Sequence, residues 1–309
     1  MSKPTVLLSH EMLAPLQDAL ATYEVLRRWE EPSFGEVRAI VHAGEFKLEP
    51  EFLSQMPALG LIACVSVGYD GVPVSWCREH GVAVTHSVGL NAEDVADHAV
   101  GSLIGVWRGI VEGDRRLRAG RWTHADRMRP RPSLRGKKAG IVGLGHIGEA
   151  VARRLEAFGM VVDWWGPNPK EAAWPRAASM IELARDCDAL VVCCKADASN
   201  RHLISGEVME ALGSRGCLVN VARGSVVDEE ALIAALRDGR LGMAALDVFE
   251  IEPTPAERWA DVPNTVMTPH MAGGTLESIP LMVGQTVENL RRFFAGEPLA
   301  SPVKDGSAG

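Results

Sequence analysis

No stretch of this sequence stays apolar for the roughly 18 residues that a membrane span requires. The segment Met1 to His10 holds only Val6-Leu7-Leu8 as an apolar core, too short for a signal peptide. Neither an integral membrane protein nor an exported one is expected, and a cytoplasmic location is. Positive charge is also scarce. Thirty-two Lys and Arg stand against 40 Asp and Glu, a formal net charge of −8, which argues against nucleic acid or an anionic membrane surface as a partner. The cysteines Cys64, Cys77, Cys187, Cys193, Cys194 and Cys217 form no Cys-x-x-Cys pair and mostly fall inside apolar runs. Reduced, buried thiols are therefore expected, with neither a zinc site nor a disulfide frame. No internal repeat is visible, and low complexity is confined to the Gly/Ser tail at 306–309. What remains is 47% hydrophobic and 23% charged over 309 residues, an ordinary globular composition long enough for two domains.

Short apolar runs alternate with helical segments from one end to the other. Thr5–Leu8, Val37–Val41, Leu61–Val65 and Val82–Thr85 read as strands, with helices near 14–21, 48–56 and 72–80. A long helix is expected from 91 to about 118. Further strands follow at 139–142, 160–165, 189–194, 217–221, 242–248 and 265–268, and a closing helix at 277–295. Such alternation indicates parallel sheets with helices on both faces. The loop Ser66-Val67-Gly68-Tyr69-Asp70-Gly71 lies at a strand's carboxyl end, where open α/β sheets bind ligands. Residues 115–138 hold ten Arg and Lys against one acid, Asp126, and read as a solvated arm or an interface.

One stretch carries a recognisable chemistry. An apolar run ends at Gly143, and Ile147, Val151, Leu155 and Phe158 then recur at helical spacing. Between them lies Gly143-Leu144-Gly145-His146-Ile147-Gly148, a Gly-x-Gly-x-x-Gly placed where a strand gives way to a helix. The first glycine makes the tight turn, the second lets a pyrophosphate approach the backbone, and the third lets helix and strand pack closely. The free N–H groups of the helix start then face the phosphates. Three polar sets follow at later strand ends: Asn220-Val221-Ala222-Arg223-Gly224, Asp247-Val248-Phe249-Glu250-Ile251-Glu252-Pro253 and Thr268-Pro269-His270-Met271-Ala272-Gly273-Gly274. Each alone is unremarkable. Together they bring an Arg, a Glu and a His to the rim where the dinucleotide would lie.

With these four spaced motifs in order along the chain, the sequence resembles the D-isomer-specific 2-hydroxyacid dehydrogenases, and within them the glyoxylate/hydroxypyruvate reductases. The resemblance implies two Rossmann-like, doubly wound parallel-sheet domains with the active site in the cleft between them. A flavodoxin-like substrate domain would comprise residues 1–98 plus 282–309, and the dinucleotide domain residues 99–281. It further implies that Arg223 anchors the substrate's carboxylate and carbonyl oxygen, that Glu252 orients His270, and that His270 is the general acid/base. The backbone of Val67 and Gly68 is similar to the family's substrate-carboxylate loop, and Asp247 matches the residue that contacts the nicotinamide amide. Leu144, His146, Ile147, Val221, Ala222 and Gly273 would join the three glycines, Arg223 and His270 around the cofactor. The chemistry is consistent: hydride arriving at a carbonyl carbon leaves charge on its oxygen, which a protonated His270 quenches. Ionised Glu252 favours that imidazolium, and Arg223 offers a planar fork where a Lys would not.

Relatives that prefer NAD place an acid at the end of the strand after the glycine helix, to hold the ribose 2′-hydroxyl. Here Gly166 takes that place, Asp163 lies three residues too early, and Asn168 with Lys170 could donate to a 2′-phosphate. No Arg occurs between 166 and 175. NADP(H) is favoured, with NAD(H) the alternative. A small 2-oxo acid is the expected substrate, and a homodimer the expected assembly, with Trp122 of the basic arm reaching the partner. Two other readings compete: a formate- or phosphite-type dehydrogenase, disfavoured because formate dehydrogenases pair their His with Gln, and a dinucleotide-sensing module resembling the C-terminal-binding-protein corepressors.

Overall fold

The computed structural model describes residues 3–125 and 130–303, which divide into two compact units. Asp126 of the basic arm and the 306–309 tail lie outside the described residues. One unit takes the chain up to Asn91 and again from Thr275; the other is Ala92–Gly274. The joins therefore fall seven residues ahead of the expected 98/99 and 281/282. The reason at the first join is a helix beginning at Ala92, whose Val95, Ala96, Ala99, Val100 and Leu103 all pack into the core of the second unit with Ile141 and Leu155.

The first unit opens with β1 (Thr5–Leu8), β2 (Glu24–Arg27), β3 (Val37–His42), α1 (Pro50–Leu53), β4 (Leu61–Cys64), α2 (Val74–Glu79) and β5 (Ala83–Thr85). Its described strands are parallel throughout, in the order β2-β1-β3-β4-β5. This is the flavodoxin-type doubly wound order. Alternate residues serve opposite faces: Leu7, Ile40 and Ile62 join one core, while Val6, Leu8, Ala39 and Val41 join the other. The expected helix at 14–21 is instead a 3-10 helix over Glu11–Leu20 with Pro15 inside it. A proline there has no N–H to give an α-helical ladder. At the end of β3, His42 is only 1% exposed. Its Nε2–H donates to the Phe46 carbonyl at 2.9 Å, so the Ser9 hydroxyl donates to Nδ1 at 2.7 Å. Burial pushes this imidazole down to about 4, and it stays neutral.

The second unit runs α3 (Ala92–Trp107), α4 (Ile110–Arg118), β6 (Lys138–Val142), α5 (His146–Ala157), β7 (Val161–Trp165), α6 (Met180–Asp186), β8 (Ala189–Val192), α7 (Gly206–Leu212), β9 (Cys217–Asn220), α8 (Glu229–Arg237), β10 (Met243–Leu246), α9 (Ala256–Trp259) and β11 (Thr265–Met267). The chain then returns to the first unit with α10 (Ser278–Ala295), whose Leu290 is fully buried against Val6 and Ala63. The single helix expected over 91–118 is broken at Gly109, which takes a φ of +65° and starts α4 in a new direction. The sheet is again all parallel, β11-β10-β9-β8-β6-β7, so its strand ends share one edge. Ile141, Val191 and Val219 face the α3 and α5 side; Val142, Leu190, Val192 and Leu218 face the α6, α7 and α8 side.

Sheet order reverses between β6 and β8, and there the three glycines do different work. Gly143 has a φ of +88°, and a Cβ on it would lie 2.5 Å from the Cα of Cys194. A Cβ on Gly148 would lie 2.2 Å from the Gly143 carbonyl oxygen, whereas one on Gly145 would meet nothing within 4 Å. Gly148→Ala is therefore expected to cost about 1–3 kcal/mol through overpacking, while Gly145→Ala loses only the better N-cap of α5. Calorimetric melting of the two variants checks this. Equal melting temperatures would show that close packing is not what position 148 requires.

Candidate active site

The strands β9, β10 and β11 lie side by side, and the polar sets follow each of them directly. After β9, Asn220 is buried and closes a turn on itself. Its Oδ1 accepts from the Ala222 N–H at 3.0 Å, and its Nδ2 donates to the Arg223 carbonyl at 3.0 Å. Val221 and Ala222 are buried by that turn, and Arg223 emerges extended with Nη1 donating to the Ala222 carbonyl at 2.8 Å. Gly224 lets the next loop approach: a Cβ on it would overlap the Phe249 carbonyl carbon at 1.8 Å. The glycine beside the arginine thus brings the Asp247–Glu252 loop against the Arg223 turn.

Asp247 is 2% exposed and gathers the loop that follows β11. Its Oδ1 accepts from the Thr268 hydroxyl at 2.6 Å and the Met271 N–H at 3.0 Å, and its Oδ2 from the Ala272 N–H at 2.9 Å. Its carbonyl accepts from the His270 N–H at 2.8 Å. His98, on α3, completes this cluster with Nε2 2.9 Å from the Thr268 hydroxyl and 3.5 Å from Oδ1 of Asp247. Because Thr268 donates to the carboxylate, its oxygen accepts from His98. The available signal for His98 was a titratable side chain between Ala96 and Ala99, both buried.

Held in this way, His270 takes a φ of +50°, a left-handed conformation that costs a non-glycine residue about 1–2 kcal/mol. Its ring meets the carboxylate of Glu252, with Nδ1 2.6 Å from Oε2. A carboxylate only accepts, so Nδ1 carries a hydrogen and Nε2 is the nitrogen that gains and loses the exchangeable proton. The other oxygen of Glu252 accepts from the Phe249 N–H at 2.9 Å. Burial alone would raise this carboxyl. The bond to His270, the Phe249 N–H and the charges of His270 and Arg223 outweigh it and hold Glu252 below the usual carboxylate range. The guanidinium, the carboxylate and the imidazole, 47 residues apart from first to last (270 − 223), therefore form one electrostatic group.

The glycine turn fits a dinucleotide. Gly145 is exposed with open space before it, and α5 starts there with N–H groups that no intrahelical carbonyl can take. Leu144 is buried, His146 exposed and Ile147 half-buried around this mouth. Asn168 is exposed, but the Lys170 ammonium lies 2.6 Å from Glu149 of α5, so its charge is already countered. In the first unit, the Ser66 hydroxyl accepts from the Gly44 N–H and donates to the Gly68 carbonyl at 2.9 Å, and His86 Nδ1 lies 2.9 Å from the Val67 carbonyl. Both carbonyls are thus occupied. Among the described residues, the N–H groups of Val67 and Gly68 donate to no acceptor. All six cysteines are free, with Cys193 and Cys194 half-buried and the rest buried.

Comparison with known proteins places this arrangement. The NAD-binding domain model of the D-isomer specific 2-hydroxyacid dehydrogenases matches residues 100–272. Glyoxylate/hydroxypyruvate reductase A of Arabidopsis thaliana is 36% identical over 306 residues, covering 94% of this chain and 97% of that protein. Hydroxyphenylpyruvate reductase of Plectranthus scutellarioides is 38% identical over 290 residues, covering 91% and 92%. Among solved structures, the NADPH-dependent glyoxylate/hydroxypyruvate reductase of Sinorhizobium meliloti, in complex with NADP and malonate, superimposes with a TM-score of 0.91 at 34% identity over 98% of this chain and 97% of that one. With a family model over more than half its length and such relatives along nearly all of it, the chain belongs to the D-isomer specific 2-hydroxyacid dehydrogenases.

Proposed function

We propose that this protein reduces a small 2-oxo acid, glyoxylate or hydroxypyruvate, to the corresponding 2-hydroxy acid, using NADPH in preference to NADH. The observation that carries this reading is the 2.6 Å contact between Glu252 and His270, on a carboxylate that also feels the Arg223 charge. The dinucleotide unit is Ala92–Gly274; Gly143, Leu144, Gly145, His146, Ile147 and Gly148 cradle the pyrophosphate, and Val221, Ala222 and Gly273 line the nicotinamide end. Bound there, the nicotinamide supplies hydride to the carbonyl carbon. Arg223 presents its fork to the carboxylate and carbonyl oxygen and fixes the angle at which the carbonyl is approached. His270 gives the proton on Nε2 to the oxygen as charge develops on it, so C–H and O–H bonds form together. Glu252 keeps the imidazole oriented and charged until that transfer. Val67 and Gly68 offer their N–H groups to the substrate carboxylate. Asp247 adds a nicotinamide-amide contact to its role as organiser of the His270 loop.

The preference for NADPH is supported by Gly166, which brings no carboxylate against a 2′-phosphate. A cytoplasmic location is supported by the six free thiols. We further propose a homodimer, because Ile110, Leu117 and Trp122 expose 57%, 57% and 61% of their surface along and just after α4. Sedimentation equilibrium at micromolar protein should give twice the chain mass, and a monomeric mass would remove this assignment.

Arg223→Ala and His270→Ala should each lower kcat/KM for glyoxylate or hydroxypyruvate with NADPH by at least about 100-fold. Near-normal turnover in either purified variant would falsify the role given to it. The Glu252→Gln variant tests the charge relation. Glu252 lies below its usual range because its ionised form is held by the imidazole. By reciprocity that carboxylate holds the proton on His270, and a neutral amide cannot. The ring then loses its proton at lower pH, so the alkaline fall in kcat/KM for reduction moves to lower pH. An unmoved alkaline limb would show that Glu252 only orients the ring.

A further inference from the structure

The reading above leaves a 2′-phosphate without a cation. Asn168 carries no charge, and the Lys170 ammonium is already 2.6 Å from Glu149. Relatives of this fold that accept NADP use a nearby arginine, yet the loop from Gly166 to Pro175 holds none. The backbone shows where one comes from. After β7 the chain runs out through the exposed residues 167–173 and then turns back along the same strand. The Trp164 N–H donates to the Pro175 carbonyl at 2.9 Å, and the Ala177 N–H donates to the Trp164 carbonyl at 2.8 Å. Arg176 is thereby registered beside Trp164 as a parallel bridge on the sheet's edge.

Its side chain runs toward the carboxyl end of β7. Nη2 and Nε both donate to the Gly166 carbonyl, at 2.7 and 3.3 Å. Gly166 is the residue that stands where an NAD-preferring relative carries its ribose-binding acid. It is buried, and a Cβ there would sit 3.1 Å from the Trp164 ring. So the position that would hold a carboxylate has no side chain, and a guanidinium is fastened to its carbonyl instead. Arg176 is exposed, and among the described residues no carboxylate lies within 4.0 Å of it. Its guanidinium carbon also lies 5.8 Å from the Trp164 ring centroid, which limits its wandering. Of the five N–H donors on a guanidinium, the Gly166 carbonyl takes two, and three remain on Nη1 and Nη2, the edge that grips a phosphate bidentately.

We propose that Arg176 is the residue that recognises the 2′-phosphate of NADPH and so sets the cofactor preference. This rests on the reductase reading only for the identity of the dinucleotide. The test is equilibrium binding by calorimetry, with NADP+ and NAD+ as the probes, to the full chain and to Arg176→Ala and Arg176→Lys. The alanine variant should bind NADP+ at least about tenfold more weakly and NAD+ within about twofold of the parent, and its NADP+ affinity should depend less steeply on salt. The lysine variant keeps the charge without the fork and should fall between. Unfolding midpoints of both variants within a degree or so of the parent accompany the expected result. An equal loss for NADP+ and NAD+ would overturn the proposal in favour of a prop for the 167–173 loop. A loss below about threefold for NADP+ alone would overturn it too, as would a parent protein that binds the two dinucleotides equally. If the parent binds NADP+ through Arg176 but turns over no 2-oxo acid, the proposal stands and the reductase reading is what fails.

Discussion

A single buried carboxylate decides the shape of the candidate active site. Asp247 directly follows β10, and its two oxygens draw in a hydroxyl and two N–H groups from the five residues after β11. Backbone donors that close together turn the loop tightly enough that His270 must adopt a left-handed conformation. An amide in place of the carboxylate would bring an NH2 group against those donors. The other half of the pair hangs from the same strand: five residues on from Asp247, Glu252 turns back and binds the Phe249 N–H and the His270 ring. Both partners of the Glu252–His270 pair are therefore measured from one point in the sheet, where they lie 2.6 Å apart. His98 secures the arrangement from α3 by donating to Thr268.

Much of this was legible before any coordinates. The glycine turn was readable because each glycine answers a different steric demand, and the structure realises them as a positive φ at Gly143, open space at Gly145 and a close approach at Gly148. The strands after it were readable because both faces of the sheet are covered, so runs such as Ala189–Val192 and Cys217–Asn220 are buried from end to end. Arg223, Glu252 and His270 stood out through their place at parallel strand ends, which the sheet order then puts side by side.

What was missed has a common cause: it depends on residues brought together from separate elements, or on a backbone turn with no side-chain signature. β2 has half-buried and exposed residues only, so Glu24–Arg27 shows no apolar run. The break at Gly109 looked like one more residue in a long helical pattern, and only its φ reveals the change of direction. Gly224 was noticed as part of a motif, but its steric reason is the Phe249 carbonyl, 25 residues away (249 − 224). Arg176 lies just past the 166–175 loop in sequence. An isolated parallel bridge to Trp164 makes residue 176 a neighbour of residue 166, which sequence distance conceals. The ion pair of Lys170 is hidden for a similar reason, since nothing along the chain announces Glu149 as its partner.

The buried imidazole of the first unit has a thermodynamic corollary. His42 is hydrogen-bonded on both nitrogens, and its burial keeps it neutral down to about pH 4, against 6.5 for an unconstrained histidine. Between those two values an unfolded chain takes up a proton that the folded one refuses. Its contribution to stability is therefore intact above pH 6.5 and declines as acidity rises through that window, by at most about 1.4 kcal/mol for each pH unit. The sheet that bears the Val67–Gly68 loop thus carries an acid fuse of its own, independent of the Glu252–His270 pair.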